Sequence, residues 1–149
     1  MSEKLKNIFE KLNINIELDG ELTNADIKDL NINEEKNSVS VTIKNDTNLS
    51  LYLYLSILGK LEDYFPEAKV KLIIVTDSPN EEHLNDYYMY AIEKFENEKN
   101  ALANFRNRII IEDEYSILAM NAVEERQIKG CLTNINKILS NAGYSKRSC

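Results

Sequence analysis

The strongest constraint on the fold lies between residues 37 and 75, where the apolar pattern changes period twice. Val39, Val41 and Ile43 alternate with Ser40, Thr42 and Lys44, the period of a half-buried strand. The helix-capping cluster Asn45-Asp46-Thr47-Asn48 then introduces residues 49–65, an unusually apolar helix carrying Leu51, Leu53, Leu55, Ile57, Leu58 and Leu61. It stops at Phe65, because Pro66 disfavours helical geometry in the residue before it. Residues 69–75 are a short apolar run suited to a central strand.

The flanking segments complete the pattern. Leu5, Ile8, Phe9 and Leu12 recur at helical spacing, and Asp19-Gly20 supplies a turn. A first extended segment spans residues 22–32, joined to the second at 37–44 by Asn33-Glu34-Glu35-Lys36. Ser78-Pro79-Asn80-Glu81 predicts a helix start in which serine caps, proline takes the first helical position and glutamate returns to the cap amide. That helix runs to about Lys99, with Leu84, Tyr88, Ala91, Ile92 and Phe95 on one face. Strands at 108–111 and 115–120 follow, linked by Glu112-Asp113-Glu114. Asn121 and Glu124 then open a last helix, whose stripe Ile128, Cys131, Leu132, Ile135, Ile138 and Leu139 ends at Gly143.

The expected class is therefore α+β, in the order αββαβ followed by αββα. One unit is used twice, and the second copy lacks its last strand. The units fall at 1–77 and 78–149, either separate or packed as one domain. A missing strand and a leftover tail at 144–149 suggest a piece of a longer polypeptide.

Composition narrows the function classes. A chain of 149 residues, 43% hydrophobic and 29% charged, is globular in character. No apolar run approaches the roughly 20 residues that span a bilayer, and the start has no signal-peptide core, so no membrane partner is expected. Cys131 and Cys149 form neither a metal spacing nor a disulfide framework, as in a protein of the reducing cytoplasm. A formal charge of −7 disfavours nucleic acid as a partner, since phosphate binding needs a basic face.

The residues offer no catalytic constellation. His83 stands among Glu81, Glu82 and Asp86 with no nucleophile to serve, and reads as an exposed helix-surface histidine. Cys131 lies on the apolar stripe of the last helix and reads as a small core residue. Glu112-Asp113-Glu114 reads as a solvated turn, lacking the second set of oxygen ligands a divalent cation would need. Gly59-Lys60 lacks the upstream glycine of a phosphate loop. Gly59 and Gly130, inside helices, imply a close neighbour packed on each. Catalytic, metal and cofactor sites are thus all expected to be none. The one candidate partner-binding surface is aromatic: Tyr52 and Tyr54 in the first apolar helix, Tyr87 and Tyr90 beside the stripe of the next. The plainer alternative is that these rings cover the core edge with hydroxyls outward.

Several strings carry a family resemblance. They are Gly20-Glu21-Leu22-Thr23, the alternation at 39–43, the apolar helix ending at Phe65, and residues 70–76. Tyr88, Arg108-Ile109-Ile110, Met120-Asn121, Glu124-Glu125-Arg126 and Asn141-Ala142-Gly143-Tyr144 continue it. From Ile14 to Gly143 the chain resembles the N-terminal region of the PolC-type DNA polymerase III α subunit of low-GC Gram-positive bacteria. The resemblance implies KH-like half-units similar to the C-terminal domain of the clamp-loader τ subunit. It also implies a replisome protein such as τ as partner, with polymerase and exonuclease chemistry elsewhere in the parent. The alternative is a KH-like single-stranded nucleic-acid binder, although the GxxG clamp of that fold is absent.

Overall fold

The computed structural model describes residues 1–14, 20–99, 109–111, 115–117 and 122–144. Their class is α+β, in the order α1 (Glu3–Lys11), β1 (Asp26–Asn33), β2 (Ser38–Lys44), α2 (Leu51–Tyr64), β3 (Lys69–Val75), a 3₁₀ turn (Glu81–His83), α3 (Leu84–Lys99), β4 (Ile109–Ile111), β5 (Tyr115–Ile117) and α4 (Ala122–Asn141). The chain divides into two compact units. One comprises Met1–His83 with Asn141–Gly143, the other Leu84–Ser140 with Tyr144–Cys149.

In the first unit a sheet of order β1-β2-β3 pairs β1 antiparallel and β3 parallel to β2. Helix α2 makes the crossover that a parallel neighbour requires. Val39, Val41 and Ile43 lie opposite Val70, Leu72 and Ile74 and share their face. The alternation seen in β2 buries that face, while Ser38, Ser40 and Thr42 remain half-buried. Leu5 and Phe9 of α1 are buried with Leu53, Ile57 and Leu61 of α2. The Tyr54 hydroxyl donates to the Leu72 carbonyl at 2.6 Å, so this aromatic ring can be buried without stranding its polar tip.

Several boundaries differ from the sequence expectation, each for a local reason. The first strand begins at Asp26, because residues 20–25 coil into a turn. Thr23 N–H donates to the Gly20 carbonyl at 3.3 Å, Ala25 N–H donates to the Leu22 carbonyl at 3.0 Å, and Gly20 takes φ +83°. Helix α2 is capped by Ser50, whose Oγ accepts from Leu53 N–H, and not by the cluster at 45–48. The segment after β3 is capped by Asn80, whose Oδ1 accepts from Glu82 N–H at 2.9 Å, while Ser78 N–H is bound by Thr76 Oγ1. Three residues of 3₁₀ turn therefore precede α3. His83, expected on an exposed helix surface, is half-buried in that turn.

Gly59 is also a correction. A Cβ built there meets nothing within 4 Å, so no close packing explains it. Gly59→Ala should therefore stabilise the first unit by about 0.5–1 kcal/mol, since only the unfolded chain loses freedom. A raised urea midpoint is the expected result; a lowered one would mean that the helix is crowded there.

In the second unit β4 and β5 form an antiparallel pair from Ile109↔Ile117 to Ile111↔Tyr115. Leu84, Tyr87, Tyr88 and Ala91 of α3 are buried, as are Ile135 and Leu139 of α4. The expectations for Cys131 as a core side chain, Cys149, the packing at Gly130 and the turn at 112–114 fall outside the described residues. So do residues 118–120, the end of the expected second hairpin strand.

Candidate functional site

The carboxyl ends of the parallel pair β2 and β3 place two loops side by side, the usual location of ligand sites in sheets with parallel strands. A cleft of 460 Å³ opens there, lined by Asn24, Asp26, Lys44, Asn45, Asp46, Thr47, Asp77 and Ser78. Three carboxylates and one ammonium make it acidic. Lys44 Nζ reaches Asp77 Oδ2 at 3.8 Å, but both side chains are mostly exposed, so solvent screens the pair. Asp26 has its carboxyl held below the ordinary value of 3.8, chiefly by the Ser2 hydroxyl that donates to Oδ1 at 2.6 Å. The same Ser2 oxygen accepts from Leu5 N–H, which ties the cap of α1 to the start of β1.

Beneath the rim, the polar groups are used on one another. Asn45 Nδ2 donates to the Glu21 carbonyl at 2.9 Å and the Thr47 carbonyl at 3.0 Å. Among the described residues, no donor reaches its buried Oδ1. Thr76 Oγ1 donates to the Asp46 carbonyl, and Asn24 Nδ2 to Asp46 Oδ2. Asn48, 2% exposed, donates through Nδ2 to the Ala142 carbonyl at 2.8 Å and accepts at Oδ1 from Asn80 N–H at 2.7 Å. One buried asparagine therefore joins three segments of the first unit.

Glu21 completes the brace. Its carboxylate accepts from Ser50 N–H at 2.7 Å and from Ser50 Oγ–H at 2.9 Å, while that same Oγ caps α2. Hydrogen bonds to an ionised carboxylate are the stronger kind. Glu21→Ala should cost about 1–3 kcal/mol by urea unfolding. Glu21→Gln, which keeps one acceptor, should cost less. Equal losses would show that the carboxylate charge contributes nothing.

Among the described residues, the cleft lining holds neither histidine nor cysteine. Among the described residues no group of three or more His, Cys, Asp and Glu side chains is placed to hold a metal ion. No described helix is long and apolar enough to cross a membrane. The arrangement offers a braced, acidic rim.

The four tyrosines singled out by sequence separate by burial. Tyr52 is 82% exposed, Tyr90 is half-buried, and Tyr54 and Tyr87 are buried. Tyr54 serves the interior of the first unit. Tyr87 meets Tyr144 edge-on in the second, with ring centroids 5.7 Å apart. Helical spacing put Tyr87 beside the apolar stripe, but the buried arc is wide enough to include it. Asn45 and Asn48 are in the string read as a cap; their type suggested a local role, and nothing in the string names partners as distant as Ala142.

Comparison with protein-family models, curated proteins and solved structures finds no match for this chain.

Proposed function

We propose that this chain is a non-catalytic protein-interaction module of DNA replication, belonging to the N-terminal region of a PolC-type replicative polymerase. In this reading it comprises two KH-like half-units similar to the τ C-terminal domain, the second lacking its last strand. Its partner is a replisome protein such as the clamp-loader τ subunit. The parentage is supported by the strings between Ile14 and Gly143 that resemble that region. The observation that carries the interaction reading is Tyr52, a large ring 82% exposed on a helix whose N-terminus is fixed by Ser50 and Glu21. A rigidly mounted, exposed tyrosine loses little entropy on docking and brings large contact area. The acidic rim beside β2 and β3 suits a protein partner better than a phosphate backbone.

The test is binding of the purified chain to purified τ by surface plasmon resonance. Tyr52→Ala should leave the free energy of urea unfolding within about 0.5 kcal/mol of the wild type and weaken binding by about tenfold or more. No binding by the wild type sinks the choice of τ. Binding that ignores Tyr52 sinks the choice of surface. Tight, salt-sensitive binding to single-stranded DNA in an anisotropy titration would favour the nucleic-acid reading instead.

A further inference from the structure

Strand β1 lies at the edge of the three-stranded sheet, paired to β2 on one side only among the described residues. An irregularity at Lys28 confines itself to the first part of the strand. From Asp29 to Asn33, five consecutive residues pair regularly with Thr42 back to Ser38. Leu30 and Ile32 lie opposite Val41 and Val39 and share their face. The valines are 1% and 2% exposed, yet Leu30 and Ile32 are 40% and 53% exposed. The covered face of the sheet thus ends in an apolar shelf, beside a strand edge that no other described strand pairs. Lys28 and its irregularity guard the first part of this edge, but neither proline nor lysine occurs in Asp29-Leu30-Asn31-Ile32-Asn33.

We infer that a second copy of this chain pairs antiparallel along β1, about a two-fold axis through Asn31. In that register Leu30 stands opposite the partner copy's Ile32, and Ile32 opposite its Leu30, so the two shelves close on each other. On the other face Asp29 stands opposite the partner copy's Asn33. Asn33 accepts Lys36 N–H with its Oδ1, which leaves its Nδ2 to donate to that carboxylate. Just past each end of this regular stretch, the exposed Lys28 and the partner copy's exposed Glu34 come level with each other, so opposite charges meet twice. The neighbouring symmetric registers are worse. An axis through Asp29 sets that carboxylate against itself, one through Leu30 sets Ile32 against the charged Lys28, one through Ile32 sets Leu30 against Glu34, and one through Asn33 sets Ile32 against Glu34. Complementarity to its own copy is what selects this occupant over an unrelated strand. The ribbon is short, so the dimer is a weak one that forms at roughly tens of micromolar and above. It uses no residue of the Tyr52 surface and stands or falls separately from that docking.

Sedimentation equilibrium of the 149-residue chain over rising concentration tests it. The wild type should pass from monomer to dimer. Lys28→Glu should weaken dimerisation about fivefold or more, because each of the two meetings of opposite charge becomes a repulsion. Glu34→Lys should do the same, and the double variant K28E/E34K should return close to the wild type. Both residues are exposed, and unchanged far-ultraviolet circular dichroism will show that each variant is folded. A wild type that stays monomeric up to about a millimolar overturns the inference. So does a dimer whose single variants are silent or whose double reversal fails to restore it.

Discussion

Replacing Gly143 by alanine should destabilise the first unit by about 2–4 kcal/mol, the sum of a backbone strain and a collision. Gly143 takes φ +96°, in the region L side chains rarely adopt. A Cβ there would also lie 2.8 Å from Asn48 Nδ2, 3.1 Å from the Ile74 carbonyl oxygen and 3.3 Å from Thr76 Cγ2. The carbonyl belongs to β3 and cannot swing aside as a flexible side chain can.

A second helix of the same chain separates the two causes. Helix α4 ends with Tyr144 N–H donating to the Leu139 carbonyl at 2.9 Å, and α1 ends with Ile14 N–H donating to the Phe9 carbonyl at 2.8 Å. Both are the six-to-one closure with a left-handed residue between, Gly143 in one and Asn13, at φ +56°, in the other. Asparagine therefore suffices for the turn itself. Close approach is what demands glycine at 143. Gly143→Asn should consequently remain destabilised although asparagine tolerates positive φ, whereas Asn13→Gly should change stability by only a few tenths of a kcal/mol. A near-neutral Gly143→Asn, measured by urea unfolding, would place the whole cost in the backbone and remove the collision from the account.

That pair also shows what a sequence can and cannot disclose. The helix ending near Gly143 was legible because a periodic apolar stripe terminates at a glycine. Strand β2 was legible from strict alternation, and α2 from an apolar run bounded by Pro66. Each is a local signal, set by one residue and its near neighbours in the chain. The start of β1 was misplaced because Leu22 and Ala25 are buried although their backbone turns, so apolar character alone read as extension. The loop wiring was not legible at all. Asn45 and Asn48 are types that favour caps, and a string cannot say that Asn48 will bind Ala142, 94 residues away. Burial of Tyr87 and exposure of Tyr52 were equally undecided, since both lie near the edge of an apolar arc.

Removing the Asn48 side chain should be as costly as filling the space at Gly143. The amide is 2% exposed and serves two backbone groups, the Ala142 carbonyl and the Asn80 N–H. Asn48→Ala leaves both without their partner, at about 1–3 kcal/mol for each group that stays dry, so a total loss of about 2–6 kcal/mol is expected in urea unfolding when both do. The two positions should also be coupled, because Asn48 Nδ2 is the nearest atom to the absent Cβ of Gly143. In the Asn48→Ala background, Gly143→Ala meets no amide and keeps its strain, the Ile74 carbonyl and Thr76 Cγ2. The double variant should therefore lose less than the sum of the single losses, by about 1 kcal/mol. Losses that add within about 0.5 kcal/mol would mean the two residues act independently. Asn48 would then be a local loop brace, and the segment at 141–143 would be held in the first unit by contacts other than this amide.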